Sequence, residues 1–213
     1  MTRPDDALDR PVPDTPAIVV VDFQKDFCPG GALAVAGGDE IAERLNALLA
    51  KAPVRVLTQD WHPADHLSFA ANHPGAEAFS TWEAPYGAQV LWPVHCVQGT
   101  PGAAFHPSLD VDRADLVIRK GFRPGIDSYS AFFENDRATP TGLAGYLRDR
   151  GVSAVDFAGL ALDFCVAWSA LDAAAAGFRT RVHAGASRAI DLDGSLAAAR
   201  KALAAAGVEV LED

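Results

Sequence analysis

The chain of 213 residues is long enough for one sizeable domain, and its 49% hydrophobic and 22% charged residues are typical of globular proteins. A formal net charge of -10 disfavours binding to nucleic acids or to anionic membranes, because no cluster of lysine and arginine is present to release phosphate counterions. We therefore expect neither as a partner.

The amino-terminal segment and the cysteines both bear on the compartment. Residues 1–16 hold four prolines and no apolar core typical of a signal peptide, so we expect a loose tail before a single domain at 17–213. No run approaches the roughly 18 apolar residues that span a membrane. Three widely spaced cysteines, at 28, 96 and 165, predict reduced thiols and a cytoplasmic location.

Strands and helices alternate along the chain. Apolar runs predict strands at 17–21, 54–58, 116–118, 154–158, 179–183 and 208–211. Helical spacing of apolar residues predicts helices at 39–50, 141–150, 163–177 and 194–206. Short connections between them imply right-handed crossovers, and therefore an α/β fold with a doubly wound, Rossmann-like parallel sheet of about six strands and helices on both faces. The glycine motifs of dinucleotide and nucleoside triphosphate sites are absent from the sequence.

The segment 61–112 breaks this alternation. It contains five of the six histidines and three of the four tryptophans. Loops of this length are uncommon in compact domains unless they are functional. We interpret the segment as a functional excursion from the sheet.

Four chemically active residues fall at predicted strand ends: Asp22, Asp60, Lys120 and Cys165. Ligands of open parallel sheets bind at the carboxyl ends of the strands. Cys165 also opens a predicted helix, where unpaired N–H groups and the helix dipole favour the thiolate. Asp22, Lys120 and Cys165 could form an acyl-transfer site. The alternatives are a turn carboxylate, a solvated lysine and an inert buried cysteine.

A second group of residues has the composition of a metal site. Asp60, His62 and His95 offer one carboxylate and two imidazoles, which suit Zn²⁺, Fe²⁺ or Mn²⁺. His66 could be a third imidazole ligand or could lie behind the ligands. The remaining histidines are interpreted as structural: His73, His106 and His183.

Five blocks of the sequence resemble the signatures of a known family. They are V-D-F-Q-K-D-F-C-P-G-G-A-L-A-V, T-Q-D-W-H-P-A-D-H-L-S-F, W-P-V-H-C-V-Q-G-T-P-G-A, I-R-K-G and G-L-A-L-D-F-C-V. Together they are similar to the nicotinamidases, a branch of the isochorismatase-like cysteine hydrolases. The D-x-H and W-P-x-H-C blocks are specific to that branch, whereas the others are shared across the superfamily.

The resemblance implies hydrolysis of nicotinamide to nicotinate and ammonia through a cysteine thioester, a step of NAD salvage, with pyrazinamide as a further substrate. By the same resemblance, Asp22 is the catalytic acid/base, Lys120 its charged partner and Cys165 the nucleophile. The resemblance also implies one divalent metal ion bound by Asp60, His62 and His95, with Zn²⁺ preferred and Fe²⁺ or Mn²⁺ as alternatives. It implies that Phe27, Trp92 and Tyr129 form the walls around the pyridine ring of the substrate. The backbone N–H groups of Ala161 and Cys165 are the implied donors to the oxyanion. A cis peptide is implied between Leu160 and Ala161.

Two departures from the family pattern leave alternatives open. Phe164 stands where many members have histidine, and His66 lies closer to D-W-H than the extra ligand histidine of some members. A different small-amide or isochorismatase-like hydrolase, or a non-catalytic ligand-binding domain, would share the fold. The sequence also leaves open a homo-oligomer.

Overall fold

The computed structural model describes residues 15–212, which form eight strands and four α-helices. The strands are β1 Thr15–Val21, β2 Val54–Asp60, β3 Thr81–Ala84, β4 Gly87–Val90, β5 Leu116–Lys120, β6 Val152–Leu160, β7 Arg179–Arg188 and β8 Glu209–Leu211. The helices are α1 Ala42–Lys51, α2 Leu143–Asp149, α3 Ala167–Ala175 and α4 Ser195–Ala205. Among the described residues, no helix combines the length and the apolar character needed to cross a membrane.

Six of the strands form one parallel sheet in the order β5-β2-β1-β6-β7-β8. This confirms the predicted six-stranded parallel sheet. The chain runs outward from β1 through β2 to β5, then returns to β6 beside β1 and runs outward on the other side. Because the direction reverses, right-handed connections put α1 on one face and the later helices on the other. The reversal leaves a cleft at the carboxyl ends of β1 and β6.

The central strands are apolar because helices cover both faces of the sheet. The run from Ala17 to Val21 is almost completely buried, as expected for a strand inside a parallel sheet. On α1, Leu45 and Leu49 are fully buried one turn apart and pack into the same core. This packing holds the strand ends, and the side chains that follow them, in fixed positions.

The structure differs from the sequence predictions at several element boundaries. Strand β1 begins at Thr15, two residues inside the predicted tail, and residues 1–14 lie outside the described part of the chain. Strand β7 continues to Arg188, and its register against β6 shifts between Val182 and Ser187. The segment 61–112 is not wholly irregular, because β3 and β4 form an antiparallel hairpin. The single-domain organisation stays a prediction.

Candidate active site

The four chemically active side chains come from four neighbouring strands. Asp22 follows β1 directly, Asp60 ends β2, Lys120 ends β5, and Cys165 lies on a π-helical turn after β6. The turn, Leu162–Val166, leads into α3, and the preceding peptide between Leu160 and Ala161 is cis. Because these strands are adjacent in the order β5-β2-β1-β6, the side chains meet at one edge of the sheet.

Lys120 is the centre of this cluster and is completely buried. Its Nζ lies 2.8 Å from Asp22 Oδ2 and 3.4 Å from Cys165 Sγ, and it also forms an ion pair with Asp60. Burial opposes the charge, but the two carboxylates raise the pKa of Lys120 well above its ordinary value. Lys120 is therefore an ammonium that holds the cluster together.

The two carboxylate oxygens of Asp22 differ in their hydrogen bonding. Oδ1 accepts a hydrogen bond of 2.6 Å from Thr58 Oγ1, whereas Oδ2 faces the Lys120 ammonium and accepts no other hydrogen bond among the described residues. Burial raises the pKa of Asp22 even though Lys120 lowers it. Ligand atoms of Asp22, Asp60 and Cys165 lie within 4.8 Å of one another. Asp22 is therefore placed to accept a proton from the thiol.

The Cys165 thiol is not activated in the way that its position at a helix start suggests. Burial raises its pKa well above the ordinary value, and the charges of Asp22 and Asp60 raise it further against the opposing effect of Lys120. Burial therefore opposes the stabilisation of the thiolate that the helix terminus predicts. The buried thiol stays protonated until a base removes its proton.

The three predicted metal-binding side chains also converge. Asp60 Oδ2 lies 3.5 Å from His62 Nε2 and 3.7 Å from His95 Nε2. The Nδ1 atoms of the two rings donate to the carbonyls of Gly121 and Pro93, each at 2.8 Å, and this leaves both Nε2 atoms facing Asp60. Burial opposes ionisation of Asp60, but Lys120 and His62 lower its pKa well below the usual range. Burial lowers the pKa of His62, but the Asp60 carboxylate raises it above its usual value. A carboxylate and two imidazoles suit a divalent metal ion, which would bind the imidazoles in their neutral form.

His66 lies behind this group. Its ring packs on the His62 ring with centroids 4.2 Å apart. Its Nδ1 contacts Ser68 Oγ at 2.7 Å and its Nε2 contacts the Ile126 carbonyl at 3.2 Å, so both nitrogens have partners in the protein. Burial lowers its pKa to about 4, which keeps the ring neutral. These contacts favour a supporting position over direct ligation.

A cavity with about 330 Å³ of empty space opens onto both groups. Phe27, Trp92 and Tyr129, the predicted ring walls, all line it, as do Ala161 and Cys165. The remaining lining residues are Leu33, Asp60, His62, His95, Asp127, Phe164 and Ile190. The apolar walls and the few polar groups at one end suit a small flat ligand. His73, His106 and His183 are not among the lining residues.

The comparisons with known proteins agree with this geometry. Residues 16–212 match the isochorismatase domain. The chain belongs to the isochorismatase family. A nicotinamidase of Acinetobacter baylyi is 55% identical over 193 residues, which cover 91% of this chain and 90% of that protein.

Solved structures of this isochorismatase family extend the likeness to the fold. The Acinetobacter baumanii nicotinamidase/pyrazinamidase has a TM-score of 0.92 and 54% identity, covering 93% of this chain and 96% of that chain. PnC1 of L. infantum in complex with nicotinate has a TM-score of 0.81 and 39% identity, covering 93% of this chain and 92% of that chain. The pyrazinamidase of Pyrococcus horikoshii in complex with zinc has a TM-score of 0.74 and 34% identity, covering 93% of this chain and 99% of that chain.

The sequence predicted no role for several residues of this isochorismatase-family site, including Phe164, which it marked only as a departure from the family pattern. Phe164 contacts Trp92 and Tyr129 edge-on, with centroids 5.0 and 5.6 Å away, and so completes the aromatic wall. Gln89, on the hairpin, donates to the Tyr129 hydroxyl at 3.0 Å and to Asp127 at 2.7 Å. The hairpin sequence T-W-E-A-P-Y-G-A-Q-V carries a turn signal at P-Y-G, which could have located Gln89.

Asp163 joins the nucleophile turn to the loop before α4. Its carboxylate accepts hydrogen bonds from the backbone N–H groups of Ile190 and Asp191, at 3.1 and 2.7 Å, and from Ser195 Oγ at 2.5 Å. Ile190 lines the cavity, and Asp163 precedes Cys165 by two residues. One buried carboxylate therefore fixes a wall of the cavity relative to the nucleophile.

Proposed function

We propose that this protein is a nicotinamidase, which hydrolyses nicotinamide to nicotinate and ammonia through a thioester on Cys165. The observation that carries the proposal is the opening of one aromatic cavity onto both the thiol cluster and the metal-binding side chains. The 55% identity to a nicotinamidase over most of both chains supports the same substrate.

In the first half of the reaction, Asp22 Oδ2 takes the proton of Cys165 and the sulfur attacks the carboxamide carbon. Lys120 stays charged, and so stabilises the carboxylate before transfer and the thiolate as it forms. The oxygen of the tetrahedral intermediate is assigned to the backbone N–H groups of Ala161 and Cys165, both of which line the cavity.

In the second half, the carbon–nitrogen bond breaks and Asp22 returns the proton to the departing nitrogen, which leaves as ammonia. Water then attacks the thioester and gives one proton to Asp22. The carbon–sulfur bond breaks, Cys165 recovers this proton from Asp22, and the acid product ionises to nicotinate. Asp22 and Cys165 return to their starting protonation states, so the cycle is closed.

Asp60, His62 and His95 would hold one divalent ion, for which we propose zinc, with iron or manganese as alternatives. The name of the P. horikoshii structure, a pyrazinamidase in complex with zinc, supports this choice. When bound, the ion supplies a Lewis-acid position for the pyridine nitrogen. Phe27, Trp92 and Tyr129 would then hold the ring between apolar walls and keep the carboxamide near Cys165.

Pyrazinamide is proposed as a second substrate. Its ring has the size and flatness of nicotinamide and would fit the same cavity. The name of the A. baumanii relative, which includes both activities, supports this assignment.

Purified protein is expected to contain about one equivalent of a divalent metal and to release ammonia from nicotinamide. Elemental analysis and an ammonia-release assay on the same preparation measure both quantities, with benzamide as the control substrate because it lacks the ring nitrogen. Absence of ammonia from nicotinamide with metal-loaded protein would rule out the proposed function. Full activity in a metal-free preparation would instead favour a different amidase of the same fold.

The pH dependence of kcat/KM follows from the raised pKa of Asp22. The carboxylate must be ionised to accept the thiol proton, and burial moves its ionisation to higher pH than that of an exposed aspartate, about 3.9. Activity should therefore fall as the pH drops through this raised pKa. The profile is measured by initial rates, with metal content and circular dichroism at each pH as controls. Undiminished kcat/KM down to about pH 4 would contradict this role of Asp22.

A further inference from the structure

Gln24 is completely buried beside the active site, yet the proposed mechanism gives it no part. It lies two residues after Asp22, and its backbone N–H donates to the Asp22 carbonyl at 2.7 Å. A buried primary amide must satisfy its donors and its acceptor within the protein. The partners of its side chain therefore indicate what the residue does.

The Gln24 side chain binds both backbone polar groups of Asp60. Its Oε1 accepts from the Asp60 N–H at 2.8 Å, and its Nε2 donates to the Asp60 carbonyl at 2.8 Å. The second proton of Nε2 goes to the Ala103 carbonyl, also at 2.8 Å. The reverse orientation of the amide would set donors against donors and acceptors against acceptors, so the hydrogen bonds fix the orientation.

These bonds take the place of missing strand pairing. Backbone pairing between β1 and β2 ends at Val20 and Leu57, three residues before Asp60. On its other side Asp60 is still paired, because β2 and β5 remain in register to Asp60 and Lys120. Beyond Leu57, side chains join the two strand ends, with Thr58 holding Asp22 and Gln24 holding Asp60.

The position of the Asp60 backbone determines where its carboxylate lies. One carboxylate oxygen contacts Lys120, and the other faces His62 and His95. We propose that Gln24 is a positioning residue, which sets the metal affinity and the geometry of the metal site by fixing the backbone of Asp60. The inference rests on the proposed function only in taking Asp60 as a metal ligand.

The chain offers a matched control for Gln24. Gln59 is also buried, precedes Asp60 directly and donates to the same Ala103 carbonyl at 2.9 Å. Its other partner is Arg119 Nε, and it makes no side-chain hydrogen bond to the Asp60 backbone among the described residues. Gln24→Met and Gln59→Met each remove one buried amide from the same region, but only the first releases Asp60.

The test measures Zn²⁺ affinity by competition with a chelator and the absorption spectrum of the Co²⁺-substituted protein, together with kcat and KM. Gln24→Met is expected to weaken Zn²⁺ binding about 10- to 100-fold, the usual cost of losing a group that orients a ligand. We also expect a changed Co²⁺ spectrum and a lower kcat at saturating Zn²⁺. Gln59→Met should stay close to the wild-type protein in all of these measurements.

A folded Gln24→Met protein with wild-type Zn²⁺ affinity and Co²⁺ spectrum would overturn the inference, as would an equal loss in Gln59→Met. If Gln24→Met does not fold, Gln24→Asn serves instead, because it keeps the amide but its side chain is one methylene too short to reach both backbone groups of Asp60. The same measurements of Zn²⁺ affinity and of the Co²⁺ spectrum then test the inference. If the wild-type protein hydrolyses nicotinamide and binds Zn²⁺ while the Gln24 variant keeps the wild-type Zn²⁺ affinity and Co²⁺ spectrum, only the role of Gln24 is rejected. The proposed function then stays intact.

Discussion

Replacing Cys165 with alanine is expected to lower kcat for nicotinamide by at least about 10⁴-fold, because Cys165 is the cysteine that lines the cavity and so the group that can form the thioester. The loss should be confined to chemistry. Alanine removes only the sulfur atom, and the Asp22–Lys120 ion pair does not depend on that atom. Initial rates of ammonia release measure the effect, and circular dichroism and metal content show whether the fold and the metal site persist.

The matched control is Cys28→Ala. Cys28 is also a buried free thiol, but it does not line the cavity, and burial raises its pKa to about 11. Its removal should leave kcat within a few-fold of the wild-type value. Retained activity in Cys165→Ala, or a comparable loss in Cys28→Ala, would show that the nucleophile has been assigned to the wrong cysteine.

Replacing Lys120 with methionine is expected to abolish activity and to lower the free energy of unfolding by about 3–5 kcal/mol, the cost of breaking a buried ion pair from one side. The reason is that Asp22 and Asp60 would remain buried without their shared cation. Chemical denaturation measures the stability and ammonia release measures the rate. Arg119→Met is the control, because it removes a cation one residue earlier on β5 but outside the cluster.

A double variant separates the two effects of Lys120. Lys120→Met combined with Asp22→Asn removes one of the two carboxylates that lose their shared cation and should therefore recover part of the lost stability. It should recover no activity, because the base is also gone. Lys120→Met with wild-type stability, or a double variant less stable than Lys120→Met alone, would contradict the central position given to Lys120.

The positions of the reactive residues were predictable because they depend on strand ends. Apolar runs located the strands that place Asp22, Asp60 and Lys120 at one edge of a parallel sheet, and the order β5-β2-β1-β6 makes those ends adjacent. Connections between parallel strands are almost always right-handed, and this leaves few possible topologies. The alternation of strands and helices along the chain is therefore enough to predict a parallel sheet. The roles of these residues stay predictions until the variants are measured.

Properties that depend on burial and tertiary contacts were not predictable. The helix start at Cys165 indicated a thiolate, but the pKa is set mainly by burial, which local sequence does not specify. The Gln24 amide is neither a nucleophile nor an acid or a base, so its residue type gives no sign of a role. The role is inferred only from its hydrogen bonds to the backbone of Asp60, 36 residues away in the sequence. The hairpin strands β3 and β4 have four residues each, which is too short for an apolar period to identify them.

Gly121 limits how far this site can vary by mutation. Its φ of +63° lies in the left-handed region that favours glycine. A Cβ at this position would lie 2.4 Å from Cε1 of His62, closer than two carbon atoms can approach. Even alanine would have to push the imidazole away from Asp60 and disturb the carbonyl that orients it. The residue that follows Lys120 is therefore restricted to glycine by both its backbone conformation and the imidazole packed against it.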